Sequence, residues 1–240
     1  MRSLRVAVAG GGLGGLALAQ GLLRAGADVT VYERDANLVT RRQGYRLHLD
    51  ARAGLALDAT LPPESFALFQ ATCAQPSRRL SVTTERLRVL REQVTADRGD
   101  DPYAAATLST SVDRQTFREV LATGLDDRIA FGHELTGYDV DAGGVRLHFA
   151  DGEYTEADVL VGADGVGSAV RRQYLPAASP ADSGRGASTA RRRWARTPRC
   201  PRSSKTGSPP WSAAASAWRS AWSASGRRRR PSGSRPPRTT

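Results

Sequence analysis

The first 33 residues constrain this chain more than any other part of it. An apolar run at residues 4–9 ends in a glycine cluster at residues 10–15. Residues 16–24 then carry apolar side chains at helical spacing as far as Gly26, and a second apolar run at residues 28–33 closes on Glu33. Short apolar runs bounded by glycine read as strands of a buried parallel sheet. A glycine just past the last helical position ends a helix. Parallel neighbours must be joined by a crossover, so the segment is expected to form a βαβ unit of right-handed sense.

Written out, the unit is Gly10-x-Gly12-x-x-Gly15, with Gly26, Val29, Val31 and Glu33 beyond it. Each position has a task in gripping an adenine dinucleotide. Gly10 permits the tight turn out of the strand, Gly12 lets the backbone approach a pyrophosphate, and Gly15 lets the helix pack closely on the sheet. The helix N-terminus offers unpaired N–H groups and positive dipole character to phosphates. Glu33, at the end of the second strand, is placed to accept from ribose. A glycine-rich turn alone also serves plain structure; the preceding strand, the following helix and the acid beyond make this one specific. The unit by itself does not separate NAD from FAD.

The rest of the first 180 residues reads as more α/β material. Residues 43–50 alternate, with Tyr45, Leu47 and Leu49 on one side, and predict a strand. Pro62 and Pro63 open a helix to about residue 74, placed where a first turn tolerates proline. Residues 80–93 fit strand or helix. Asp113 is an N-cap for a helix whose apolar face is Phe117, Val120 and Leu121. Strands are expected at residues 135–140, 145–150 and 154–161, with Gly143-Gly144 and Asp151-Gly152 at the turns, which makes a β-meander. Its third strand runs into Gly162-Ala163-Asp164-Gly165, and a short helix ends near Tyr174.

Three of these segments, in this order, resemble flavoprotein hydroxylases of the p-hydroxybenzoate hydroxylase type. The first is residues 8–16 together with Val31-Tyr32-Glu33-Arg34. The second is residues 111–121, similar to the family's Arg-x-x-Leu helix with Arg114 in place and Phe117 where leucine is usual. The third is residues 158–171, which match the Asp-Gly fingerprint at Asp164-Gly165. The resemblance covers residues 1 to about 178 and implies an incomplete Rossmann-like FAD-binding fold of the glutathione-reductase type. It implies FAD as cofactor and NAD(P)H as reductant, with the reduced flavin using O2 to hydroxylate an aromatic or polyketide-like small molecule. Gly10, Gly12, Leu13, Gly14 and Gly15 would line the FAD pyrophosphate. Glu33 and Arg34 would hold the adenosine part, Arg42 would lie near FAD and the nicotinamide cofactor, Arg114 would approach the flavin side, and Asp164 would serve both FAD and NAD(P)H. Plainer readings stand beside these: Arg42 as a solvated charge next to Arg41, Arg114 as decoration of a helix turn, Asp164-Gly165 as an ordinary turn. No side chain presents itself as a catalytic acid or base. His48, His133 and His148 read as strand histidines, and no metal site is expected.

Residues 181–240 are unlike the rest. They hold 15 of the 35 Lys and Arg but one of the 24 acidic residues, Asp182, so they carry +14 of charge against −3 on residues 1–180, which together make the net +11. They contain all four tryptophans and no Leu, Ile, Val, Phe, Met or Tyr. Without periodic aliphatic residues no packed core is expected there, and the segment reads as a disordered basic tail. The family's later Gly-Asp-Ala-Ala-His fingerprint and the substrate sheet before it have no counterpart. A frameshift near residues 180–185 accounts for that composition, and the product would then be a truncated flavoprotein. A genuine tail whose Arg227 to Arg230 run binds phosphates nonspecifically is the alternative; specific nucleic-acid binding is not expected. For the whole chain the rivals are a non-catalytic remnant and an NAD-binding module. Cys73 and Cys200 form no metal spacing or disulfide framework, which fits a reducing compartment. The apolar stretch at residues 13–23 is too short to span a bilayer. A cytoplasmic protein acting on a small molecule, off the membrane, is the expectation, with its oligomeric state open.

Overall fold

The computed structural model describes residues 2–40, 46–76, 79–84, 86–94, 101–182 and 184. Its centre is a parallel sheet of four strands in the order β11 (Val159–Gly162), β1 (Arg5–Ala9), β2 (Asp28–Glu33) and β7 (Ile129–Phe131). Strand β1 (Arg5–Ala9) leads into helix α1 (Leu13–Arg24) and back to β2 (Asp28–Glu33), as the periodicity predicts. The helix begins at Leu13, three residues earlier than its apolar spacing indicates, because the glycines that follow lie within its first turn.

Period-two alternation along β1 sends its side chains into two cores. Val6 and Val8 face a cluster with Val29, Val31, Leu16 and Ala19, while Ala7 joins Val145, Leu147, Phe149 and Ala157 on the other face. The sheet is therefore covered on both sides, which is why its strands are nearly continuous in apolar residues.

Between β2 and the last strands the chain adds several short elements. These are β3 (Arg46–Asp50), α2 (Ala51–Thr60), α3 (Pro63–Thr72), β4 (Arg79–Thr83), β5 (Val89–Val94), β6 (Ser109–Asp113), α4 (Arg114–Ala122) and β7 (Ile129–Phe131). Strands β3 and β6 pair antiparallel, and each ends on an aspartate that caps the next helix. Asp50 accepts from the N–H groups of Arg52 and Ala53, and Asp113 from those of Gln115 and Thr116. Helix α4 buries Phe117, Val120 and Leu121 as its pattern requires, with the Phe117 ring 5.4 Å from that of Phe69 on α3 and tilted 49° to it. The open choice for residues 80–93 resolves as a hairpin of β4 and β5.

Helix α2 lies where no helix was expected. It carries Gly54 in its interior, a residue that weakens helical reading, and that glycine is required because a Cβ there would overlap the carbonyl oxygen of Ala105.

The meander is β8 (Leu135–Asp141), β9 (Gly144–Phe149) and β10 (Tyr154–Ala157), and here one expectation is corrected. The third strand does not continue unbroken to residue 161. It leaves the meander at Asp158 and resumes as β11 (Val159–Gly162), parallel to β1. The cause is local. The Asp158 N–H donates to Arg5 O at 2.9 Å, and its carboxylate accepts from the Arg5 N–H at 2.9 Å and from the Arg5 guanidinium. These bonds transfer the chain from one sheet to the other. Helix α5 (Ala169–Tyr174) follows. No described helix is long and apolar enough to cross a membrane.

Candidate functional site

The loop between β1 and α1 is built from glycines that fall into two groups. At Gly10 and Gly15 the protein itself leaves no room. Gly10 has φ +104°, and a Cβ on it would overlap Ala163 O and lie 2.9 Å from the Asp164 Cα. A Cβ on Gly15 would overlap the Gly10 carbonyl. At Gly12 and Gly14, by contrast, an added Cβ meets nothing within 4 Å. Gly12 is also extended, with φ −76° and ψ 178°, a conformation open to any residue. Neither packing nor backbone explains these two glycines.

What they border is the N-terminus of α1. Gly12 is its N-cap and brings no side-chain acceptor, and the first turn holds no acid. The first intrahelical bond is that of Leu16 N–H to Gly12 O, so the preceding N–H groups of the turn, those of Leu13 and Gly14 included, have no partner within the helix. Positive helix dipole and unpaired donors thus meet a surface kept free of side chains, which is what an anionic pyrophosphate needs.

Glu33 closes the loop from β2. It is 5% exposed. Its Oε2 accepts from the Gly11 N–H at 2.9 Å and from Arg118 Nη2 at 2.8 Å, and its Oε1 accepts from the Asp35 N–H at 3.0 Å. Arg118, on α4, is 1% exposed and also donates through Nε to Gly11 O at 2.8 Å and through Nη1 to Leu38 O at 3.0 Å. The sequence reading did not single out Arg118. The signal was present: it sits on the helix between Phe117 and Leu121, inside the apolar stripe, where a cation requires buried partners.

The other expected residues are distributed as follows. Arg114 opens α4 one turn before Arg118 on the same face, is half-buried, and has no side-chain partner among the described residues. The adjacent Gln115 donates to Leu38 O and to Glu119, while its Oε1 is buried without a partner among the described residues. Arg34 is exposed and lies 3.9 Å from Glu134. Arg42 falls outside the described residues. Asp164 reaches the glycine loop through its backbone, at Gly10, whereas its carboxylate is engaged elsewhere. Oδ1 accepts from Ser168 Oγ at 2.5 Å and Oδ2 from the Ala169 N–H at 2.6 Å, at the start of α5.

Three features are suited to an adenine dinucleotide: open space beyond Gly12 and Gly14, an uncapped α1, and a buried acid on the neighbouring strand, three of whose roughly four acceptor sites are taken. The residues present fit such a group. A separate cleft of about 660 Å³ beside β11, bordered by Tyr138, Val140, Val159 and Tyr174, shares no residue with this site. Its carboxylates are already engaged, Asp158 by Arg5 and Asp141 by the Gly143 N–H.

Comparison with known proteins agrees with the geometry. Residues 3–183 match the family described as FAD binding domain. The dual O-methyltransferase/FAD-dependent monooxygenase elcB of Phaeosphaeria nodorum is 37% identical over 188 residues, covering 75% of this chain and 20% of its own length. The FAD-dependent monooxygenase thnD of Trichoderma harzianum is 34% identical over 172 residues, covering 72% of this chain and 41% of its own. The crystal structure of an FAD-containing monooxygenase from Photorhabdus luminescens superposes with a TM-score of 0.62 at 34% identity, over 72% of this chain and 43% of that one. The chain thus spans less than half the length of each of these relatives.

Proposed function

This chain belongs to the FAD binding domain family of flavin-dependent monooxygenases, and on that premise we propose that its glycine loop and Glu33 grip the ADP half of FAD. The observation that carries the proposal is the pair Gly12 and Gly14, glycines that neither packing nor conformation requires, at a helix N-terminus without a cap. Leu13, Gly14 and Gly15 would present backbone N–H groups to the pyrophosphate, Glu33 would accept from ribose, and Arg114, without a side-chain partner among the described residues, would offer its guanidinium toward the flavin side. When bound, FAD supplies the redox and oxygen chemistry of such enzymes, and the protein supplies binding, orientation and exclusion of water. The reaction proposed for the whole protein is hydroxylation of an aromatic or polyketide-like small molecule with NAD(P)H and O2.

The test is reconstitution of the purified full chain with FAD, followed by its visible spectrum and by quenching of flavin fluorescence. FAD is expected to bind at least about 100-fold more tightly than FMN, which lacks the adenosine part. A colourless protein that binds NAD instead would favour the NAD-binding module. Stoichiometric NAD(P)H oxidation with formation of a hydroxylated product tests the enzymatic step; FAD binding without it favours a non-catalytic remnant.

A second reading concerns residues 184–240. The family match stops at residue 183; the last of the Leu, Ile and Val residues is Leu175 and the last acid is Asp182. We propose that the codons beyond this point are read out of frame. Translation of the two other frames decides it: one should continue into a strand ending in Gly-Asp-Ala-Ala-His, and if neither does, the idea fails.

A further inference from the structure

We infer that Arg118 is a positioning residue for the adenosine ribose, holding Glu33 so that its carboxylate offers a single acceptor, on Oε1, to one ribose hydroxyl. The inference rests on the FAD-binding reading above and deepens it.

Arg118 is the largest fully buried side chain among the described residues. Every bond it makes falls on a segment surrounding the glycine loop. Nε donates to Gly11 O within the loop, Nη2 to Glu33 Oε2 at the end of β2, and Nη1 to Leu38 O in the turn beyond, with Asp35 Oδ2 3.9 Å away. Packing alone does not call for a guanidinium here, since Phe117, Val120 and Leu121 on the same helix serve that end with apolar groups. Burying an ion pair is costly compared with apolar residues of similar size, so its presence needs another reason.

That reason is found by counting acceptors. A carboxylate has about four lone-pair sites. Oε2 of Glu33 accepts from Gly11 and Arg118, which fills both of its sites, and Oε1 accepts from Asp35, which fills one. One site remains. The terminal torsion of a glutamate is otherwise broad; the clamp through Arg118 removes that freedom and holds the plane of the carboxylate, and with it the direction of the remaining lone pair. A ribose brings two neighbouring hydroxyls, so only one of them finds Glu33.

The experiment titrates the full chain with FAD and with two analogues, one built on 2′-deoxyadenosine and one on 3′-deoxyadenosine, by flavin fluorescence. One analogue is expected to bind about tenfold more weakly than FAD and the other within about threefold, the scale of one hydrogen bond to a charged acceptor. Arg118→Met is expected to bind FAD about tenfold more weakly and to lose the preference between the analogues, and adding Glu33→Gln to it should cost little more. A purely structural Arg118 would lower stability and leave the analogue ratio intact, and that result overturns the inference. Equal weakening by both analogues in the intact chain overturns it as well, a measurement that stands even if Arg118→Met does not fold; Arg118→Lys then supplies the variant. Failure of the intact chain to bind FAD at all sinks the underlying reading instead, and it shows before any variant is made.

Discussion

Strands β1 and β11 lie side by side, and each runs into a glycine-containing loop and then a helix, yet the two loops treat the helix that follows in opposite ways. Before α5, the protein fills the helix N-terminus itself. Asp164 accepts from the Ala169 N–H, and Ser168 Oγ, bonded to the same carboxylate, accepts from the Arg171 N–H. Before α1 it supplies nothing: Gly12 carries no side chain and no acid lies in the first turn. A negative group near a helix N-terminus is stabilising whether it belongs to the chain or to a ligand. The loop that brings its own carboxylate is thus a structural support, and the loop that does not is the one suited to a phosphate. The two touch where Ala163 and Asp164 cross Gly10, so the first loop is braced by the second.

The sharpest way to break this comparison is to fill the glycines selectively. Gly15→Ala places a methyl group onto the Gly10 carbonyl, inside the first loop. It is expected to destabilise the fold by about 3 kcal/mol, the upper range for overpacking against backbone, and to abolish FAD binding, measured by thermal unfolding and flavin titration. Gly14→Ala should separate these two effects. Its Cβ points into open space, and alanine is the better helix former, so stability should hold or rise by up to about 1 kcal/mol. FAD affinity should nonetheless fall about tenfold, because the methyl group takes the place meant for the pyrophosphate. If Gly14→Ala leaves FAD binding intact, the open surface is not where phosphate lies.

The second loop predicts the reverse pattern. Asp164→Ala removes the acceptor of the Ala169 N–H and the partner that holds the Ser168 cap of α5, and should cost about 1 kcal/mol of stability, the usual worth of a capping interaction, while FAD affinity stays within about threefold. A tenfold loss of FAD at unchanged stability would show that this carboxylate meets the ligand directly, as the resemblance to flavoprotein hydroxylases implies, and the contrast between the loops would fail.

Much of this contrast was legible in the residues. The βαβ unit was readable because two short apolar runs flank a stretch of helical spacing, with glycine at each boundary of that stretch. Asp113 announced its helix because a short acid before an apolar stripe has few other uses. What escaped notice did so for physical reasons. Strand β7 is three residues long, and α2 hides its helical period behind Gly54 and four scattered alanines. Arg118 lies in the same class: its meaning depends on Glu33, 85 residues away, and on a loop carbonyl further off. Sequence spacing shows a cation inside an apolar stripe but not which acid comes to meet it. The break at Asp158 was hidden similarly, since residues 154–161 contain no glycine or proline to mark it and only the bonds to Arg5 split them between sheets.

That same Asp158 provides the smallest effect, and a test of how the two βα units are held together. It anchors the start of β11 to the start of β1, at the end of the strands away from the loops, by accepting from the Arg5 N–H and guanidinium and from Arg2. The Arg5 guanidinium hydrogen bond, helped by the Arg5 N–H, lowers the Asp158 carboxyl below the ordinary carboxylate range. A carboxyl lowered on folding contributes stability that is fully present above its unfolded value, about 3.9, and lost as the pH falls through the folded value. The difference in stability between the natural chain and Asp158→Asn should therefore be constant from neutral pH down to about 5 and shrink below about 4. Denaturant unfolding across that range reads it directly. Because exposed ion pairs contribute modestly, the difference is expected to be small, and to leave FAD affinity at neutral pH unchanged. A gap that persists undiminished at pH 2 would mean that Asp158 holds the strands by shape rather than by charge, and that the bracing of the first loop does not depend on its ionisation.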